Sequence, residues 1–230
     1  MKKAFFYRAY PTKHQEQILL QQINACRCLY NTALEQRKNT YQKKKIALNY
    51  YDQAKQLKEC REFDPELMQV NYSMLQNVLR QLQKTYAAFF RRIQKGEKAG
   101  FPRFKAQNRF TSMTYPKYQD GCRITKGRLK LQNVGLLKVK WHRELQGVVK
   151  TVTVQHHNGK WSVVFSCEIK EISLVTPQTS VGLDVGLHSF VATSDHRLVE
   201  NPRILRKAER ELKIQQRIVS KRKLRGSNRK

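Results

Sequence analysis

Apolar and polar side chains alternate from Lys3 to Tyr10 (KAFFYRAY), and this period of two predicts a strand. Thr12 follows with Gln15 three residues on, the form of a capping box in which each side chain satisfies the other's backbone N–H. The helix it opens carries Leu19, Ile23, Cys26, Tyr30, Ala33 and Leu34 at spacings of three and four, with Lys13, Gln17, Gln21 and Arg27 off that stripe. From Arg37 to Arg61 the chain is rich in Lys and Gln, its period weakens, and it reads as helix with a mobile connection. A second strong helix is predicted with Asp64 as its cap, Pro65 in its first turn and Gly96 at its end. Leu75, Leu79, Leu82, Tyr86, Phe89 and Ile93 form its stripe and read as core. Arg80, Lys84, Arg91, Arg92 and Lys95 make a basic edge beside it.

Residues 98–118 (KAGFPRFKAQNRFTSMTYPKY) are punctuated by Gly and Pro and read as loop or irregular strand. From Cys122 the period returns to two, and CRITKGRLKLQNVGLLKVKWHR reads as two or three short strands. VKTVTVQHHNGKWSVVFSCEIK is a predicted hairpin with Asn158-Gly159 as its type I′ turn. His156 and His157 lie beside that turn and read as turn residues, not ligands. Past KEISLVTPQTS, the segment VGLDVGLHSFVAT reads as strands, with TSDHR as a turn and a further strand beginning at Leu198-Val199. A last helix is expected from Asn201 and Pro202, with Leu205, Ala208, Leu212, Gln215 and Ile218 on one face and a basic opposite face. Apolar residues are spread widely enough to predict a packed core up to about residue 218.

Charge changes the picture more than composition does. Lys and Arg number 46 against 17 Asp and Glu, a formal net charge of +29 with a pI near 10.2. Such a field favours a polyanion, and nucleic acid is the default partner because phosphate neutralisation releases condensed counterions. The candidate contact region interleaves cations with rings: Lys98, Arg103, Phe104, Lys105, Arg109, Tyr115 and Lys117, joined by Arg80, Lys84, Arg91 and Arg92 of the preceding helix. Rings offer faces on which bases stack, and cations meet phosphates. The competing reading is that these rings plug the edge of a barrel. The tail SKRKLRGSNRK repels itself without a polyanion. No run approaches a membrane span, and MKKAFFYRAYP is a strand whose apolar stretch is broken by Arg8, not a leader. The five cysteines form no C-x-x-C pair and read as reduced thiols filling core space, with no zinc site.

Asp184, in the middle of VGLDVGLHSF, is the residue with the most specific chemistry to offer. Three readings stay open on the pattern alone. Asp184 is the first carboxylate of a two-metal phosphodiesterase site on an RNase H-like opening strand, with Gly182 and Gly186 beside it leaving room for phosphate and ion. It is the D-x-G strand of an actin-like or sugar-kinase-type NTPase, a reading disfavoured by Leu187 and His188 where that superfamily has small hydroxyl residues. Or it is a structural turn aspartate.

Four blocks, in order, carry a resemblance: YRAYPTKHQEQILLQQINACRCLYNTALEQR, LQNVLRQLQKTYAAFFRRIQKGEKAGFPRFK, LKVKWHRELQGVVKTVTVQHHNGKWSVVFSCE and VGLDVGLHSFVATSD. Together they make the chain similar to the OrfB/TnpB family of insertion-sequence proteins. The resemblance implies an RNA-guided DNA endonuclease with guide RNA and target DNA as partners, Mg²⁺ as metal, no membrane association and a place in the bacterial cytoplasm near the nucleoid. It implies an α+β chain. Residues 1–175 would be a β-barrel wedge domain with a helical recognition insert over about 12–96, and 176–230 the first hairpin and helix of a RuvC-like domain. Asp184 matches the first RuvC carboxylate and is the implied catalytic and metal-binding residue. The family's second acid, third acid and four-cysteine zinc element have no counterpart here. Asp195, Glu200, Glu209 and Glu211 are the only later acids and match none of those positions. The chain therefore reads as the front portion of a family protein, inactive by itself, or alternatively as a naturally short, non-cleaving nucleic-acid binder or repressor.

Overall fold

The structure is a computed structural model, and it describes residues 1–170 and 179–222. It falls into two compact units, Met1–Glu171 and Ile172–Lys230, each treated by itself below. The linker KEISLVTPQTS lies largely outside the described residues, as does most of the basic tail.

The first unit combines a curled sheet with helices that all arise between its first two strands. β1 (Lys2–Tyr10) buries Phe5, Tyr7 and Ala9 and exposes Phe6 and Tyr10, the alternation a half-covered strand requires. β2 (Ser112–Tyr115), β3 (Cys122–Thr125), β4 (Arg128–Leu131), β5 (Gly135–Lys140), β6 (Val148–His157) and β7 (Lys160–Glu168) complete it. The strand order is β2-β6-β7-β1-β5-β4-β3, with antiparallel neighbours throughout. Tyr118 bridges β6, next to one margin of this sheet, and β3 at the other: its backbone N–H donates to Lys150 O of β6 at 2.9 Å, and its hydroxyl accepts from Ile124 N of β3 at 3.0 Å. Asn158 and Gly159, at φ of 49° and 68°, form the tight hairpin turn their sequence predicts. Inside the curl Phe165 is fully enclosed, its ring 5.8 Å from Tyr7 and 5.6 Å from Trp141.

α1 (Lys13–Lys44) starts at the expected capping box and buries the whole predicted stripe. Gln15 does more than cap: its side-chain amide also donates to Val134 O and Leu136 O, fixing the helix start to the β4–β5 turn. Trp161 of β7 donates to Glu16 at 2.9 Å on the same turn of helix. α2 (Tyr50–Phe63) follows a short connection and has its own capping box at Asn49 and Asp52.

The helix predicted from Asp64 to Gly96 is two helices, α3 (Pro65–Met68) and α4 (Tyr72–Gln94), broken at 69–71. Asp64 and Pro65 act as expected, but Asn71 caps again, accepting from Met74 N. Distant side chains satisfy the carbonyls that the break frees. Arg61 donates to Leu67, Met68 and Val70, while Gln22 and Asn133 both donate to Gln69. Asn71 also donates to Gln132 and Asp120. Its side chain comes so close to Gly121 that a Cβ there would lie 2.6 Å from its amide nitrogen. The stripe on α4 is core only in its first half. Leu75, Leu79 and Leu82 are buried, Tyr86 and Phe89 are half-buried, and Ile93 is exposed.

All five cysteines are free: Cys26, Cys122 and Cys167 are buried, but Cys28 and Cys60 are exposed, so core filling accounts for only some of them. Burial pushes the Cys26 thiol up to about 12 and is also the main cause of the rise to about 12 at Cys122. A disulfide-exchange dye at mildly alkaline pH is expected to titrate Cys28 and Cys60 quickly, and the other three only on unfolding. A third fast thiol would show that one of the buried sites opens in the native state.

The second unit has a small antiparallel sheet in the order β10-β9-β8, made of β8 (Leu183–Asp184), β9 (Ser189–Thr193) and β10 (Leu198–Glu200). α5 (Ile204–Ser220) begins two residues later than the sequence suggests, after Arg203 at φ 45°, and no side chain caps it. The expectation of a core reaching residue 218 is not met: none of residues 179–222 is buried, and the last buried side chain among the described residues is Cys167. Leu205, Leu212 and Ile218, predicted as one apolar face of the helix, are all exposed. Three short strands and one helix have too little surface to enclose each other's apolar side chains. Among the described residues no helix is long and apolar enough to cross a membrane.

Candidate nucleic-acid interface and the Asp184 hairpin

The loop after α4 faces that helix across a groove whose lining includes Lys105 and Arg109, while the basic edge of α4 lies outside it. Arg80, Lys84 and Arg91 recur at four and seven, which places them on one side of the helix, and all are exposed with Arg92. Arg80 is steadied by the Tyr50 ring, 5.2 Å from its guanidinium carbon. The loop after α4 is tied to α1 by a two-way clamp: Asn31 donates to Lys105 O at 3.0 Å and accepts from Lys105 N at 2.8 Å. Arg27 gives the same carbonyl a second donor at 3.5 Å. This holds Lys105 and Arg109 opposite Gln81 and Thr85 of α4 across a groove of about 260 Å³. Between Arg80 and Lys117 the only acid is Glu97, and none of the predicted contact cations there is in an ion pair. Lys98, Arg103, Phe104, Arg109 and Lys117 are exposed.

Two of the predicted contacts are altered by their surroundings. Tyr115 is 1% exposed on β2 and belongs to the core, so its ring has no free face for a base; desolvation also raises its hydroxyl pKa. An alternating strand places every second residue inward, and Met113 and Tyr115 fall on that side. Lys105 is half-buried, with its ammonium 5.9 Å from the centre of the Tyr30 ring. Neither Asn31 nor Arg27 was singled out by sequence, because the clamp joins positions 74 and 78 residues apart.

Arg37 is a further buried charged group that the sequence does not single out. Its side chain is buried, with Nε donating to Gln53 at 2.7 Å and Nη1 to Gln83 at 2.8 Å. Its guanidinium lies over Tyr86, with 5.2 Å to the ring centre, and burial lowers its pKa. The available signal was spacing, since position 37 continues the buried series through Tyr30 and Ala33.

In the second unit Asp184 sits on β8 opposite Ala192 of β9, and its carboxylate is exposed. Gly182 and Ser194 lock the strand end by a pair of bonds, each 2.9 Å. A Cβ at Gly186 would lie 3.2 Å from Ser189 O, so tight packing in the turn already favours glycine there. Asp195 is engaged locally, accepting from the Thr193 hydroxyl and pairing with Arg197 at 3.2 Å. Among the described residues no group of three or more His, Cys, Asp or Glu side chains converges on a point. A two-metal site needs several carboxylates around ions roughly 3.5–4 Å apart, and this donor set does not fit one.

The chain is thus a strongly basic α+β protein with a groove of unpaired cations and a separate acid-bearing hairpin. Residues 1–45 match a family model of the OrfB group described as "Helix-turn-helix domain", and residues 163–230 match one described as "Probable transposase". A curated relative from Escherichia coli (strain K12), "Putative RNA-guided DNA endonuclease InsQ", is 29% identical over 98% of this chain and 55% of its own length. Another, "Putative RNA-guided DNA endonuclease" of Streptomyces pristinaespiralis, is 30% identical over 100% of this chain and 57% of its own. Both ends of the chain thus match models of the OrfB group, and its whole length is similar to these curated relatives. It spans just over half the length of these curated relatives. A Cas12f1–sgRNA–target DNA complex aligns at a TM-score of 0.44 with 12% identity, over 96% of this chain and 62% of that one. Within residues 1–45 the structure has β1 and one unbroken helix, so no helix-turn-helix is formed there.

Proposed function

We propose that this chain is the nucleic-acid-gripping portion of an insertion-sequence-encoded, RNA-guided DNA endonuclease, binding guide RNA and target DNA. The observation that carries this reading is the groove between α4 and the 98–111 loop, where cations stand without acidic partners while the loop is already held in place. The matches to OrfB-group models at both ends of the chain and the names of its curated relatives support the choice of partners. Asp184 is the residue through which the family's Mg²⁺ chemistry would act. One carboxylate cannot hold two ions, so the 230-residue chain by itself binds without cutting. In this reading residues 1–175 are the wedge domain with its helical insert and 176–230 the opening of the RuvC-like domain.

The test combines binding with cleavage. With Mg²⁺, guide RNA and a matched DNA duplex, the chain is expected to retain the nucleic acid in a salt-sensitive complex and to yield no cut product. A product that disappears in Asp184→Ala would overturn the non-cleaving part. Absence of binding at low salt, or tight binding of a free nucleotide instead, would overturn the whole reading.

A further inference from the structure

A second cleft in the first unit has a different character from the basic groove. It lies between the end of α1, the turn before α2 and the second half of α4, with a volume of about 650 Å³. That is within the roughly 300–1,000 Å³ of sites that take small organic groups. Its walls are aromatic. Phe101 stands edge-on to Phe89 at 5.4 Å and to Tyr86 at 5.8 Å, while Tyr86 and Phe90 lie near parallel at 6.3 Å. Phe90 and Phe101 are 54% and 47% exposed, which is unusual for rings this close to a core. Arg37 also lines the cleft. It is 5% exposed, two of its nitrogens are occupied by Gln53 and Gln83, and the third, Nη2, has no partner.

We propose that this cleft receives one unpaired nucleobase of the bound nucleic acid. Its face lies on the Phe90 and Phe101 rings, and an acceptor on its edge takes the Nη2 proton of Arg37. This rests on the nucleic-acid reading above and gives it a second, uncharged mode of contact. A phosphate would gain nothing from the aromatic walls. An apolar side chain from a protein would cover them but leave a buried charged donor unmet, which is the costly outcome for such a group. A base satisfies both, because unstacked bases are bound by combining a ring face with edge hydrogen bonds. Lys38, exposed at the rim, is placed for the adjoining phosphate. Since Arg37 offers only donors, a carbonyl-bearing base such as guanine, with O6 beside N7, is preferred over adenine, whose N1 and N7 acceptors both lie next to the N6 amino donor.

Affinity of the full chain would be measured against short single-stranded RNA and DNA oligonucleotides, each with normal bases and with one abasic position, over a series of salt concentrations. Phe90→Ala and Phe101→Ala, both on exposed rings, are each expected to weaken binding to the base-bearing strand by roughly 10-fold. The salt slope should not change, because no phosphate contact is lost. Binding to the abasic strand should be the same in variant and parent. Arg37→Met is expected to erase the preference for a carbonyl-bearing base over adenine while circular dichroism stays that of the parent. RNA and DNA arms show which strand supplies the base. Equal losses on abasic and normal strands, or no loss on either, would overturn the proposal while leaving the basic groove standing. So would variants that bind normally but lose self-association in sedimentation, which would make the occupant a protein. If the parent binds no oligonucleotide at low salt, the nucleic-acid reading fails first and this one with it.

Discussion

Phe165→Ala is expected to destabilise the first unit by about 3–5 kcal/mol, a large part of the 5–15 kcal/mol that holds a typical domain. Phe165 is fully enclosed on β7, the strand between β6 and β1, so its ring is covered from both sides of the sheet's curl. It stands opposite Phe5 on β1 and Val152 on β6, both buried. Tyr7 and Trp141 close over it, and Tyr7 is held in turn by donating to Arg143 O at 3.1 Å. None of these neighbours can collapse into the space without leaving its strand or breaking that bond, so the cavity persists and adds to the lost transfer energy. Urea unfolding should show a lower midpoint at unchanged slope. A loss under about 1 kcal/mol would mean that the curl can tighten, and that the sheet is less closely packed than its burial indicates.

Replacing Arg103, Lys105 and Arg109 together by alanine is expected to weaken nucleic-acid binding more than any other surface change. Each phosphate contact removed lowers the salt slope by about 0.7 for a single strand and about 0.9 for a duplex. Arg103 and Arg109 are fully available, whereas Lys105 is half-buried against Tyr30. The slope should therefore fall by the equivalent of two contacts, about 1.4–1.8, rather than three. Affinity should drop at least 10-fold at low salt, where counterion release contributes most. Titration across a salt series reads both quantities. An unchanged slope would make the loop a structural strap across α1 and α4, and the groove would lose its assignment.

What the sequence made legible is what short-range rules govern. The β1 alternation, the Thr12–Gln15 box, the Asn158-Gly159 turn and the buried stripe of α1 all follow from periods and caps within a few residues. The break at 69–71 was hidden because Arg61, Gln22 and Asn133 stabilise it, and two of those three come from elsewhere in the chain. Tyr115 was misplaced because rings among cations suit base stacking and core equally well, and only its register opposite Val152 puts it inward. The core was drawn too far because hydrophobic residues after 180 are periodic, but the elements they sit on do not enclose them. Asp184 was found by its motif; the aromatic cleft and its buried arginine were not, since they arise where the ends of three helical segments come together.

The position of β1 has a consequence for how the chain is made. Within the first unit β1 is translated before every other strand, and it pairs with β7 from Lys2 opposite Glu168 to Ala9 opposite Trp161. Its partner is thus the last of the unit's seven described strands to be translated. The intervening helices can form within microseconds of emerging, since their contacts are local. At about 5–20 residues per second, β1 waits seconds with its apolar face and both edges unmatched. Codon-dependent slowing before residue 168 would prolong that exposure, and ribosome-associated chaperones would meet this strand unpaired. Yield in cells should therefore respond more to translation speed through the middle of the gene than the folded stability of the unit would suggest.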